Sequence, residues 1–484
     1  MKLSAPPQNS ADYQQLEMTS ARSSEKPHAQ PRIILYSLVF LLAASIPPIL
    51  RLSGVHAPLT MVHDLVFTTV LVAATIISCL NSSRERVLRN LLFAGAAAFY
   101  LQLIDIASGQ NFATDYMQVV VAAMSFVLHG SPYYAATDYV LYPPLYAQLV
   151  AMTFNTCAAC CAFFHLPCGQ QAIWNAVQYV FQNTLFASTV ALIALTYRFC
   201  RKLATFNRVP SMLMALAAIV PSSAVFWTVR KYQCNIFVTD LILAAILLVD
   251  RYPVAAALCV AIGTHIKVYP GLLAIAWLFG KRWRACGWTA IFFALIAAAS
   301  TVICGRPQIW PEYFHIASTY VSLLPTTVPG WLLGSPNLLN ETYQSLRLFH
   351  IESFSLAQMA QFVHVEQIAF VAWFGWKFLQ PRTAKTVSHP DVETTILLDR
   401  YCDLLSLMLI IGPSVLADHY VMAIPISLWT LITSFKRAPA RRPYGAFAVA
   451  VTGALLVLSW SFKSIVPVPL QPLGLVLLSL ARAL

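Results

Sequence analysis

Long apolar runs, separated by short polar breaks, fill the chain from about residue 33 onward. A membrane-spanning helix needs roughly 20 mostly apolar residues. Candidate runs stand at 33–51, 60–80, 87–106, 141–164, 172–197, 209–229, 233–249, 253–280, 287–304, 366–380, 397–411, 414–435, 445–462 and 464–482. The 253–280 run is long and is interrupted by His265, Lys267 and Pro270, so it reads as two short helices in a hairpin. Strand-type alternation is absent, which argues against a membrane barrel. The pattern predicts an all-α polytopic membrane protein of about 12–14 helices, with two long outer-face loops at 107–140 and 305–365. Residues 1–31 are polar and aperiodic and read as a disordered cytoplasmic tail. The first apolar run lacks a signal-peptide layout and a small-residue cleavage site, so it reads as a span. Residues 32–484 then form a single integral-membrane domain.

Composition agrees with that pattern. Of 484 residues, 58% are hydrophobic and 10% charged, against about 25% charged in soluble domains. The formal net charge of +12 falls mainly at the ends of apolar runs. That is the positive-inside arrangement rather than a nucleic-acid surface. Basic clusters at Arg84, Arg86 and Arg89, at Arg198, Arg201 and Lys202, at Lys281, Arg282 and Arg284, at Lys377, Arg382 and Lys385, and at Lys436, Arg437, Arg441 and Arg442 are expected in the cytoplasm. The 107–140 segment holds no Lys or Arg and is expected outside. One conflict follows. An odd number of crossings is needed between residues 140 and 198, yet two apolar runs lie there. Either 141–164 is re-entrant or its boundaries shift. Cys157, Cys160 and Cys161 lie inside an apolar run and read as small packing residues.

Candidate chemistry concentrates in the outer segments. After Asp115 comes an apolar stretch, 116–128, too short to span and bounded by Gly130 and Pro132. It reads as an interfacial helix with Asp115 at its N-terminus. There the helix dipole keeps a carboxylate ionised, and an ionised carboxylate can accept a proton from a hydroxyl. The alternative is a plain helix cap by Thr114 or Asp115. Asp105, at the end of the third run, is a rival base. Pro143 and Pro144 mark a helix start. Tyr133, Tyr134, Tyr139 and Tyr142 fit an interfacial aromatic belt, and Asp138 stands among them. Lys267 is an intramembrane charge, costly and commonly functional; snorkelling is its alternative. Arg230 and Lys231 lie at an outer helix end, and Arg347 lies in the second loop. His419 opens a helix beside Asp418. His265 and Asp240 read as structural.

The ordered motifs resemble glycosyltransferase family 87, whose members are polyprenol-phosphate-sugar-dependent membrane enzymes of the GT-C fold. "D-Y…G-S-P-Y-Y…Y-P-P-L" over 115–145 is similar to the family's first outer-loop signature. Gln233, Asn235, Lys267 and Pro270 fall on the marked positions of its "G-Q-x-N…K…P" block, with Tyr232 where the family usually has Gly. "NETYQSLRL" at 340–348 and "SVLADHYVMAIPISL" at 414–428, with His419 and Pro425, resemble two further elements. The Trp usual in the last is replaced by Leu416 or Ala417. The resemblance implies a plasma-membrane, multi-pass enzyme with its active site on the extracytoplasmic face. It would transfer a sugar, mannose or another hexose or a pentose, from a polyprenyl-phosphate donor to an envelope lipid or polysaccharide acceptor with inversion. Asp115 would be the catalytic base. Lys267, Arg230, Lys231 and Arg347 would hold the donor phosphate, and Tyr142, Gln233, Asn235, His419 and Asp138 would contact substrate. No cofactor is implied. D-x-D and H-x-x-x-H patterns are absent from the sequence, and the resemblance likewise points to metal-independence. A transporter or lipid flippase without transfer activity is the alternative that many helices and a broken hairpin allow.

Overall fold

The computed structural model describes residues 114–133, 142–203, 207–219, 222–323, 342–343, 345–346, 356–379, 392–412, 415, 417–437, 444–458 and 470–484. The expected tail and the first three apolar runs lie outside them. The described residues form an all-α architecture: α1 (Thr114–His129), α2 (Pro144–Phe163), α3 (Gln170–Leu203), α4 (Arg208–Ile219), α5 (Ser223–Arg230), α6 (Asn235–Leu248), α7 (Pro253–Ile266), α8 (Gly271–Phe279), α9 (Trp283–Cys304), α10 (Ile309–Leu323), α11 (Leu356–Leu379), α12 (Val392–Ile411), a 3₁₀ turn (Ala417–Met422), α13 (Ala423–Arg437), α14 (Tyr444–Leu458) and α15 (Gln471–Ala483). By length and apolarity α2, α3 and α9 can each cross a bilayer.

Proline sets several of these boundaries. Helix α2 starts at Pro144, where the missing N–H would have no intrahelical partner, as the Pro143–Pro144 pair predicts. The 253–280 run is the expected hairpin: α7 ends at Ile266, Lys267 is extended, and α8 restarts at Gly271. The two arms meet closely, since a Cβ built on Gly263 would come within 2.9 Å of the Pro270 ring. The single 209–229 run is instead two helices. Pro221 cannot supply the N–H a continuous helix needs, and Ser222 caps α5 by accepting from the Val225 amide at 3.4 Å. The second outer segment holds a helix of its own, α10, and α11 begins ten residues before the apolar run expected at 366.

Ring contacts trace the path of the chain over 141–198. Phe154 meets Trp174 at 4.4 Å and Tyr146 meets Phe181 at 6.3 Å, so α2 runs antiparallel to the first half of α3. Phe181 then meets Phe237 at 5.8 Å, Ser188 donates to Asp240, and Lys202 donates to the Leu247 carbonyl at 3.0 Å. The second half of α3 therefore runs beside α6 in the same direction. At 34 residues, α3 is about 51 Å long, well beyond a hydrocarbon core of about 30 Å. Its first half and α2 make an out-and-back arm, so the chain between 144 and 203 makes one net pass along α6. Asp240 serves as the interhelical polar contact its sequence setting predicts.

Charge also locks the C-terminal helices. Lys377 of α11 donates to Asp403 Oδ1 of α12 at 3.1 Å and to Ser479 Oγ of α15 at 2.6 Å. Arg482 of α15 reaches the same Asp403 oxygen at 2.6 Å and Thr430 Oγ1 of α13 at 2.7 Å. All three ions are buried. Lys377 is thus an internal ion-pair partner rather than the solvated basic-cluster residue its position suggests. Two oppositely charged partners on one carboxylate make its burial tolerable.

Candidate functional site

The site is built around the end of α5. The Gln233 amide donates to the Thr228 carbonyl at 2.9 Å, and the Tyr232 amide to the Val229 carbonyl at 3.2 Å. This is the paired hydrogen bonding of a Schellman cap, which needs a left-handed residue at its corner. Tyr232 occupies that corner with φ 53°. A glycine there would cost nothing sterically, which gives a physical reason for the family's usual Gly. Here a buried tyrosine takes the strain. The turn delivers Lys231, Gln233 and Asn235 in quick succession, and Asn235 opens α6.

Three other segments converge on this turn. Asp418, in the 3₁₀ turn, accepts from Asn235 Nδ2 at 2.7 Å and from Lys231 Nζ at 3.2 Å. Its backbone carbonyl also accepts from Thr228 Oγ1 at 3.2 Å. Lys267, at the α7–α8 break, donates to Asn235 Oδ1 at 2.7 Å and to His419 Nε2 at 2.5 Å. Its ammonium stands 5.7 Å from the Tyr142 ring centroid and 5.8 Å from that of Tyr269. Tyr142 donates its hydroxyl to Gln233 Oε1 at 2.9 Å. The Tyr269 and His419 rings meet edge-on at 5.9 Å.

The electrostatics follow from this packing. Lys231 pairs with Asp418 directly, and Lys267 joins it through Asn235 and His419, whose Nε2 accepts from the Lys267 ammonium. Among the described side chains, two ammoniums, Lys231 and Lys267, stand around one carboxylate, Asp418. The N-terminus of α6 adds partial positive charge at Asn235. Such a cluster can hold an anion. Among the described residues, no three His, Cys, Asp or Glu side chains gather as a metal site would require.

Of the residues singled out from sequence, Tyr142, Lys231, Gln233, Asn235, Lys267 and His419 come together here. Asp115 is the second residue of α1 as described, and the residues before Thr114 and the Asp115 side chain lie outside the described residues. So does the side chain of Arg230, the last residue of α5. Asp105, Asp138 and Arg347 lie outside them altogether. The two segments expected outside touch beside the site: Ser131 Oγ donates to Glu312 Oε2 at 2.6 Å, and Tyr133 lies 5.9 Å from Tyr313. Tyr133 also donates to the Tyr142 carbonyl at 2.8 Å. His265 is structural, stacked on Phe293 at 4.4 Å and bonded to that residue's carbonyl. Asp418 and Tyr269 are the members that sequence reasoning passed over. An acid inside the 414–435 apolar run was the available signal for the first.

Residues 139–389, just over half of the chain, match the sequence family described as glycosyltransferase family 87. The chain belongs to glycosyltransferase family 87. No curated protein and no solved structure matches it. The matched region contains the Schellman turn, the broken α7–α8 hairpin and Lys267. Asp418 and His419 lie C-terminal to it and join the site only through the fold. Family membership and the apolar helices make the protein a multi-pass membrane glycosyltransferase, which uses a sugar donor and an acceptor.

Proposed function

We propose that this glycosyltransferase takes its sugar, mannose or another hexose or a pentose, from a polyprenyl-phosphate donor. The acceptor is an envelope lipid or polysaccharide on the outer face of the plasma membrane. The observation that carries this reading is the pair of ammoniums, Lys231 and Lys267, gathered with Asp418 at the α6 N-terminus. A lipid-linked monophosphate is the kind of leaving group such a cluster can neutralise. Arg230 and Arg347 are proposed to add to it, and Asp138 to contact the sugar. Tyr142, Gln233, Asn235 and His419, which surround Lys267, are proposed to contact substrate. The outer segments supply the acceptor site.

Asp115 is proposed as the base. In the first turn of α1 a carboxylate is stabilised in its ionised form. It takes the proton of the acceptor hydroxyl as that oxygen bonds to the anomeric carbon. The bond from that carbon to the phosphate oxygen breaks, and the lipid phosphate leaves with the electron pair. One displacement inverts the anomeric centre. The test uses membranes supplied with labelled polyprenyl-phosphate mannose. Asp115→Asn should lose transfer by about 10²–10⁴-fold, the usual range for general-base catalysis, while retaining donor binding. Lys267→Gln should weaken donor binding itself. Transfer at the wild-type rate in Asp115→Asn would discard the mechanism.

A further inference from the structure

A second basic feature lies at the other end of α6. There α3 and α6 border an open, shallow pocket of about 490 Å³, a size usual for small-molecule sites. Its floor is apolar, with half-buried Leu195 and Leu247, and Tyr197 sits in its wall. Arg198, Arg201 and Lys202 line its edge and are exposed. Among the described residues the lining holds no carboxylate. Asp250, just beyond α6, is engaged by Arg282 at 3.1 Å. Lys202 is anchored on the Leu247 carbonyl, which fixes the edge of the pocket at the last turn of α6. Helix α6 has 14 residues, so this pocket and Asn235 are separated by about 20 Å along its axis.

We propose that this pocket binds the phosphate headgroup of an anionic phospholipid in the leaflet facing away from the candidate site. Three features select that ligand over a soluble anion. The cations sit at the end of a long apolar helix, where a headgroup lies. The apolar floor accepts the start of an acyl chain. The cationic edge and apolar floor together match the two halves of a phospholipid, as in basic pockets between membrane helices. The positive-inside rule explains why basic residues collect at helix ends; it does not require them to line a pocket with leucines beneath. The proposal does not depend on which sugar or acceptor the enzyme uses.

The test uses the full chain purified in a neutral detergent, with its thermal midpoint followed as lipid is added. Phosphatidylglycerol should raise the midpoint with saturation, whereas phosphatidylcholine and inorganic phosphate should not. Each cation near a charged membrane surface weighs about fivefold in affinity, so Arg198→Gln/Arg201→Gln should bind phosphatidylglycerol roughly 30-fold more weakly. Both side chains are exposed. The charge-matched Lys281→Gln/Arg284→Gln protein should bind as wild type does. In the wild type, 1 M salt should weaken binding, because the screening length falls from about 10 Å at 0.1 M to about 3 Å. Unchanged affinity in the arginine variant would overturn the proposal. So would an equal loss in the control variant, an equal response to phosphatidylcholine, saturation by inorganic phosphate alone, or indifference to salt.

Discussion

The Lys231–Asp418 pair should behave as a coupled unit, and a double-mutant cycle measures this. The pair is 3.2 Å apart, with the aspartate side chain fully buried and the lysine side chain 24% exposed. At that distance and an effective dielectric of about 20, the gross attraction is about 5 kcal/mol. Desolvation offsets part of it, more for the aspartate than for the lysine. Lys231→Gln leaves a buried carboxylate with Asn235 and the more distant Lys267, and should cost about 3 kcal/mol. Asp418→Asn presents one oxygen where two donors point, from Lys231 and Asn235. One donor then faces an NH₂ group, at about 1–3 kcal/mol. In the double variant the second loss is largely already incurred, so the coupling should be about 2 kcal/mol. Reversible chemical unfolding in mixed micelles, run on all four proteins, gives the number. Single losses that add to within about 0.5 kcal/mol would mean the two groups do not share an interaction, and the site as drawn would be wrong.

Two further outcomes follow from the packing. A Cβ at Gly474 would come within 2.8 Å of both the Gly453 carbonyl and the Val457 amide nitrogen. Gly474→Ala should therefore force α14 and α15 apart and cost about 1–3 kcal/mol, whereas Gly287→Ala, with nothing within 4 Å, should leave the midpoint in place. Asp403→Asn should be the most damaging of the buried-charge changes, by about 3–5 kcal/mol, because Lys377 and Arg482 both lose their counter-ion; a thermal midpoint within a degree of wild type would contradict it.

What sequence could reveal divides along the reach of each interaction. Helix starts at Pro144 and the break at Lys267–Pro270 are written locally, because proline and an intramembrane charge act on their own segment. Lys267, Gln233 and Asn235 stood out for that reason, and the fold brings them together. The Lys377–Asp403–Arg482 lock was not legible. Its members lie 26 and 79 positions apart, on helices whose pairing no local pattern specifies, and only Lys377 stood out, as part of a basic cluster. Asp418 was hidden for a related reason. Its partners Lys231 and Asn235 are 187 and 183 positions away, while the histidine next to it drew the chemical argument. Tyr232 lies between these cases. Sequence showed a tyrosine where the related pattern has glycine, but not what the glycine was for. The Schellman hydrogen bonds and φ of 53° supply the reason. A left-handed tyrosine costs about 1–2 kcal/mol, and burying its ring offsets that in a way that glycine could not. The turn that presents Lys231, Gln233 and Asn235 is therefore fixed by hydrogen bonding and packing rather than by residue type, and the site can persist through a substitution that a motif search would count against it.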